Sequence, residues 1–446
     1  MATGSTVLDA NAFNPATAAG LDPETADLAR RRAALLGPAY RLFYKQPVHV
    51  VRGEGARLFD PQGNAYLDVY NNVASVGHCN PRVVAAVQQQ VAQLNTHTRY
   101  LHGAILDYAE QLLATLPPPL DRAMFMCTGS EANDLAVRVA QAYTHHKGVI
   151  ITREAYHGNT DLVSGLSPAL GAAQPLGDGV RTVPAPDAYR LEPGQDLGRV
   201  FAGHVQAAID SLASDGLGVA ALLVDSAFSS DGVHPDPAGF LAPAVAAVRA
   251  AGGVLIADEV QPGFTRTGAT FWGFMRHGLV PELVTMGKPM GNGIPISALV
   301  AQAEVLDAFA TKLPYFNTFG GNPVSIAAAQ AVLDEIQQTG LQRHVCEVGA
   351  EFLRALRDVA GRYDVIGDVR GAGLYLGVEI VQPGGGKLPD AARALAIVDG
   401  LRARRVLTSV CGAGGNVLKL RPPLVFGLPE MDWFMTEFEA VLQGLA

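Results

Sequence analysis

Lys288 stands in Thr285-Met286-Gly287-Lys288-Pro289-Met290-Gly291-Asn292-Gly293, where the apolar, strand-like run Leu283 to Met286 ends in a bend rich in glycine and proline. Among the lysines Lys45, Lys147, Lys288, Lys312, Lys387 and Lys419, it alone has such a setting. A lysine withdrawn from water loses part of its preference for the charged form and can attack a carbonyl as a free amine, as a Schiff base requires. Three more segments carry compatible chemistry. Cys127-Thr128-Gly129-Ser130-Glu131 follows the apolar Met124 to Met126 and opens a helical pattern, so unpaired N–H groups, Gly129 and the Ser130 hydroxyl could hold a phosphate. Ala257-Asp258-Glu259-Val260-Gln261 ends an apolar run with two carboxylates that point to opposite faces, and Asp258 and Gln261 could reach one ligand together. Tyr156-His157-Gly158 offers an aromatic ring on which a planar ligand could lie. Taken singly, each segment also has an ordinary reading: a solvated loop lysine, Ser130 as a helix cap, an acid capping the next helix, and a tyrosine packed on its own domain.

The elements that must position these residues follow from hydrophobic pattern. Asp22-Pro23-Glu24-Thr25 predicts a helix running to Leu36. Short alternating runs at Val48 to Val51, Arg57 to Asp60 and Ala65 to Tyr70 predict a small antiparallel sheet within residues 1–75. In residues 76–325, helical stretches (81–94, 105–116, 131–142, 243–251) alternate with continuous apolar runs (149–152, 219–224, 253–257, 283–286, 297–301). That alternation predicts an α/β domain whose mostly parallel sheet is covered by helices on both faces. In such folds ligands bind outside the carboxyl ends of the strands, where Lys288, Asp258 and Tyr156 all fall. After a helix from Pro323 to Gln338, residues 326–446 read as a smaller α+β domain with strands at 374–381, 406–409 and 417–420, which the N-terminal sheet is expected to join.

A chain of 446 residues with 49% hydrophobic and 17% charged residues is globular and long enough for more than one domain. Its net charge of -9 and the lack of a long basic run argue against a nucleic-acid surface. The four cysteines form no C-x-x-C pair and the eleven histidines no H-E-x-x-H pattern, so neither a disulfide framework nor a metal site is expected. With no signal-like N-terminus and no run of about 18 apolar residues, a cytoplasmic protein without a membrane span is the expectation.

A lysine for an imine, an acid, an aromatic stacker and a helix N-terminus for phosphate are together the parts that hold pyridoxal 5'-phosphate. At these residues the chain resembles the class III, fold type I, pyridoxal-phosphate-dependent aminotransferases and their lyase relatives, from about Tyr40 to the C-terminus. The resemblance implies that Lys288 bonds the cofactor as an imine and shuttles protons. By the same resemblance Asp258 pairs with the pyridine nitrogen, Gln261 lies beside the ring oxygen, Tyr156 stacks on the ring, and Gly129 and Ser130 form the phosphate cup. Tyr315-Phe316-Asn317-Thr318-Phe319-Gly320-Gly321-Asn322-Pro323 is similar to the family segment whose threonine, here Thr318, crosses a dimer interface to the other subunit's cofactor phosphate. A homodimer with shared sites is thereby implied.

Two departures from the family bear on substrate. Asp225 stands where many members carry a glutamate, and Ser230 where a second glutamate pairs with the arginine of an Arg-Pro-Pro segment, here Arg421. Left without that partner, Arg421 could bind a substrate anion; alternatively it pairs with another acid. Segments 71–79, 94–102, 286–293 and 366–371 resemble the phospholyase branch, which acts on ethanolamine phosphate or phosphohydroxylysine. The resemblance therefore implies a small amine substrate carrying an anionic group, from which phosphate and ammonia are eliminated to leave an aldehyde. Arg421 and Arg99 are the candidates for the anion, Arg99 having a backbone carbonyl as its other possible partner. The alternatives are an ω-amino acid or amine:pyruvate transaminase, an ammonia-lyase acting on a hydroxylated aminophosphonate, and a non-catalytic cofactor-binding protein.

Overall fold

The computed structural model describes residues 9–17, 20–384 and 386–445. Its central sheet has seven strands in the order Leu120–Met126, Ser297–Gln302, Leu283–Met286, Val254–Asp258, Val219–Asp225, Gly148–Thr152, Val180–Val183. Ser297–Gln302 runs antiparallel to both of its neighbours, and the other strands share one direction. This makes the sheet mixed, with six carboxyl ends gathered along one edge.

Alternation along the strands explains why these runs are apolar throughout. Ala221 and Leu223 face a cluster that includes Leu135, Ala136 and Val139 of the helix Gly129–Thr144. Leu222 and Val224 face the other way, into Phe201, Val205 and Val245 of the helices Leu197–Ser214 and Ala242–Ala250. Burying each large side chain contributes about 1.5–3 kcal/mol relative to exposure, so a polar residue inside such a strand would be costly on either face. The strand Val180–Val183 and the helix Leu197–Ser214 were not expected from the sequence. The strand is a short edge whose Arg181 and Thr182 break the apolar pattern.

A second, antiparallel sheet joins Ile366–Ala372, Tyr375–Ile380, Val417–Leu420 and Ser409–Cys411 in that order. The predicted single strand at 406–409 is divided: Ser409–Cys411 belongs here, whereas Val406–Leu407 pairs in parallel with Ala65–Asp68 of the N-terminal segment. That third sheet contains Arg52–Glu54, Arg57–Phe59, Ala65–Asp68 and Val406–Leu407. Val48 to Val51, predicted as a strand, forms none. Only Val51 donates to Phe59, and strand pairing begins at Arg52.

Two sets of contacts bring the distant segments to the sheet edge. Ser75 Oγ donates to Pro289 O at 2.8 Å, while Asn292 accepts from Val76 N at 3.0 Å and donates to Gly77 O at 2.8 Å, which fastens the N-terminal segment to the Lys288 turn. The buried Arg266 donates to Leu374 O and Pro422 O, which holds the Arg421 segment against the turn that follows Asp258. Among the described residues no helix is long and apolar enough to cross a membrane.

Candidate active site

An open cleft of about 330 Å³ lies at the carboxyl ends of the central strands, lined among others by Gly129, Ser130, Tyr156, Asp258, Gln261 and Lys288. Chain reversals place them there. The strands Leu120–Met126, Val254–Asp258 and Leu283–Met286 each end within a few residues of a cleft side chain. Loss of water around Lys288, with Arg421 adding like-charge repulsion, holds its ammonium below the ordinary lysine range despite Asp258 and Asp225 nearby. More of it is therefore present as the nucleophilic amine than in a solvated lysine.

Asp258 is buried and held on both oxygens. Its Oδ2 lies 2.7 Å from His157 Nδ1 and accepts from Asn133 Nδ2 at 2.9 Å, and its Oδ1 accepts from Val260 N at 3.1 Å. Asn133 is itself fixed, since its Oδ1 accepts from Thr285 Oγ1 at 2.6 Å and its Nδ2 also donates to His157 O at 2.8 Å. These contacts fix the orientation of the Asp258 carboxyl group in the cleft. Neither His157 nor Asn133 was singled out from sequence. His157 sits between Tyr156 and Gly158 and could have been suspected, whereas Asn133 looks like an ordinary polar residue of a helix. Its function as a clamp exists only because that helix crosses the strand ends.

One end of the cleft is the start of the helix Gly129–Thr144. Thr128, not Ser130, caps this helix: Thr128 Oγ1 accepts from Glu131 N at 3.2 Å, and the Glu131 carboxylate accepts from Thr128 N at 2.9 Å. The capping box satisfies the helix without Ser130, whose hydroxyl instead meets Asn159. The amides of Gly129 and Ser130, in the first turn, have no intrahelical acceptor. Gly158 closes the other side of this cup with φ of +138°, and a Cβ there would fall 2.6 Å from Ser130 Oγ. Ser167 Oγ locks the loop by accepting from both His157 N and Gly158 N.

Gln261 uses its Oε1 to accept from Tyr375 OH at 3.1 Å and from Arg421 Nη1, which leaves its amide N–H₂ as a donor. Arg421 lies behind Gln261, outside the cleft lining, with Asn72 Oδ1 at 3.2 Å and the Tyr70 ring beneath its guanidinium at 4.3 Å. No carboxylate pairs with Arg421 among the described residues. Asp225 is aligned with Asp258 across neighbouring strands, where desolvation and the Asp258 charge raise its pKa. Its oxygens accept from Ala227 N at 2.9 Å and Ser229 N at 3.4 Å, so it also shapes its own turn. Burial likewise raises the Tyr156 phenol. Thr318 and Arg99 are not brought to the cleft: both are exposed, and Arg99 stacks on the Phe316 ring at 4.2 Å.

Pyridoxal 5'-phosphate fits this donor set. Gly129 and Gly158 let the backbone pack where a Cβ would strike Val260 and Ser130, Asp258 is a carboxyl group held on both oxygens that a ring nitrogen could face, Gln261 offers a donor, and Lys288 is an amine of lowered basicity. The family model described as Aminotransferase class-III matches residues 42–442. The chain is 41% identical over 424 residues to the Drosophila melanogaster "Alanine--glyoxylate aminotransferase 2-like", covering 92% of this chain and 85% of that protein. It is 36% identical over 462 residues to the Caenorhabditis elegans "Ethanolamine-phosphate phospho-lyase homolog 1", covering 98% and 99%. Among solved structures, a phospholyase from Arthrobacter in complex with phosphoethanolamine superposes with a TM-score of 0.91 at 43% identity, over 94% of this chain and 100% of that one. The chain thus belongs to the class III aminotransferases, the pyridoxal-phosphate-dependent family of fold type I.

Proposed function

We propose that this enzyme is a lyase that removes phosphate and ammonia from a phosphorylated amino alcohol, ethanolamine phosphate or phosphohydroxylysine, and releases an aldehyde. The observation that carries this reading is Arg421, a buried guanidinium whose partners among the described residues are neutral, held beside the cleft by Gln261 and Asn72. A buried cation without an acid is costly unless a ligand brings the anion. The similarity to phospholyases supports the same choice.

When bound, the cofactor supplies an electron sink for the bond pair released at the substrate carbon bearing nitrogen. The chain's own residues do the rest. Lys288 takes the proton from that carbon, Asp258 holds a proton at the ring nitrogen with Asp225 beside it, and Tyr156 covers the ring face. Gln261 donates to the ring oxygen, the amides of Gly129 and Ser130 take the cofactor phosphate, and Arg421 takes the substrate anion. With a phosphate on the next carbon, elimination is available and no keto acid is needed; the unsaturated amine that remains hydrolyses to aldehyde and ammonia. The enzyme acts as a homodimer in this reading, with Thr318 and its exposed neighbours Phe316 and Phe319 meeting the other subunit and Thr318 reaching that subunit's phosphate cup. Arg99, stacked on Phe316, belongs to the same surface and would approach a substrate only across that interface.

The test is incubation of cofactor-loaded protein with ethanolamine phosphate alone, following phosphate, ammonia and cofactor absorbance. Equal amounts of phosphate and ammonia over many turnovers are expected. No phosphate, together with conversion of alanine and glyoxylate, would transfer the protein to the transaminases, the activity named for other relatives.

A further inference from the structure

Beside Arg421 lies a second buried cation that the family resemblance did not single out. Lys419 is 6% exposed, on the strand Val417–Leu420, and its ammonium has no hydrogen bond or ion pair among the described residues. Lys419 and Arg421 are two residues apart and so leave the chain on one face. Opposite Lys419 are Gly377 on one neighbouring strand and Ser409 on the other, neither of them charged. Two buried donors here lack an acceptor among the described residues: Arg421 Nε, and Asn72 Nδ2, whose amide is oriented by Oδ1 accepting from Arg421. Two buried donors without an acceptor beside two cations, with Asp225 and Cys411 as the opposing groups near Lys419, give a place where a substrate anion would be held. The cofactor phosphate has its own cup at Gly129, so this anion comes with the substrate.

We propose that Lys419, at an anion subsite shared with Arg421 and Asn72, is the acid that protonates the departing phosphate. The inference rests on the elimination reading above. A phosphate monoester is mostly a dianion near neutrality, with its second pKa near about 6, and would leave as an unprotonated trianion without a donor. In the step, Lys288 removes the proton from the carbon bearing nitrogen, and the pair left there becomes the carbon–carbon double bond. The carbon–oxygen pair goes to the phosphate oxygen, which takes a proton from Lys419 and departs as hydrogen phosphate. Lys419 then recovers a proton from water. Its surroundings suit this exchange: burial, with Arg421 and Lys288 adding repulsion against the opposing pull of Cys411 and Asp225, lowers the Lys419 pKa to about 7.

The experiment compares cofactor-loaded wild type, Lys419→Arg and Lys419→Met by phosphate release from ethanolamine phosphate and by calorimetric binding of inorganic phosphate. Arginine keeps the charge but does not give up its proton near neutrality. Lys419→Arg should bind phosphate within about threefold of wild type yet lose on the order of 100-fold in kcat, the scale of general acid catalysis. Lys419→Met should lose both, with phosphate bound at least tenfold more weakly, about 1.4 kcal/mol. In wild type kcat should fall as pH rises through about 7, and this limb should be missing from Lys419→Arg. Wild-type kcat in Lys419→Arg would overturn the donor role while elimination stands. Wild type that releases no phosphate, with Lys419→Met still binding phosphate tenfold more weakly, would refute elimination and the donor role but retain the anion subsite. Unaltered phosphate binding in Lys419→Met would overturn the subsite.

Discussion

Arg421→Met separates an anion-binding arginine from a structural one. Arg421 is 7% exposed, donates to Gln261 and Asn72, lies over Tyr70 at 4.3 Å and has no carboxylate partner among the described residues. Methionine approximates its length and removes a buried charge without a carboxylate partner among the described residues, so the folded state should suffer little: Gln261 Oε1 still accepts from Tyr375, while Asn72 Oδ1 and Tyr70 lose a partner. The melting temperature should therefore move by a few degrees at most, the usual result of an effect near 1 kcal/mol. Substrate binding should behave differently. Truncating one partner of a desolvated charge pair costs about 2–5 kcal/mol, which at about 1.36 kcal/mol per tenfold is roughly a 30- to 5,000-fold loss in kcat/KM. The assay is steady-state phosphate release from ethanolamine phosphate at saturating cofactor, with melting measured on the same samples. An unchanged KM with unchanged kcat/KM would refute the anion assignment. A collapse in melting temperature would show that Arg421 is structural.

Gly158→Ala places a Cβ 2.6 Å from Ser130 Oγ at a residue with φ of +138°; strain of about 1–3 kcal/mol should weaken cofactor binding at least fivefold in a spectroscopic titration, and unaltered affinity would remove Gly158 from the phosphate cup. Phe319→Glu charges an exposed aromatic beside Thr318; light scattering should show the wild-type dimer reduced to monomer, and a wild-type monomer would dismiss the shared-site reading. Burial lowers the pKa of His277 from 6.5 to about 4. The unfolded chain therefore binds the proton first, so this histidine's contribution to stability is present above about pH 6.5 and lost as pH falls toward 4. Denaturant midpoints should decline over that window, and His277→Gln should flatten the decline; an identical slope in the variant would contradict the assignment.

Strand and helix positions were legible wherever burial on two faces demanded continuous apolar runs. Leu283–Met286 and Val417–Leu420 fall where the pattern placed them, and Val219–Asp225 extends the predicted run by one residue. The pattern failed where partner and direction mattered. Val48 to Val51 has strand-like residues but meets a neighbouring strand only through Val51 among the described residues, Val180–Val183 is a strand because Gly148–Thr152 lies beside it, and Ser297–Gln302 reads like its neighbours yet runs against them. Apolar content records burial, and direction is a property of the connection.

The same division runs through the site. Local sequence by itself determined the chemistry available at each turn, because a lysine among glycines, an acid at a strand end and a helix start after Met126 are each written within a few neighbouring residues. Tertiary structure alone decided how those groups are tuned. Asn133 reaches Asp258 across 125 positions and Arg421 reaches Gln261 across 160. Thr128 rather than Ser130 took the cap because the Glu131 carboxylate returned to its amide, and Lys419 became an unpaired cation only when the C-terminal sheet buried it beside Arg421. Desolvation and charge proximity depend on what the whole fold brings within a few ångströms, and no local spacing records that.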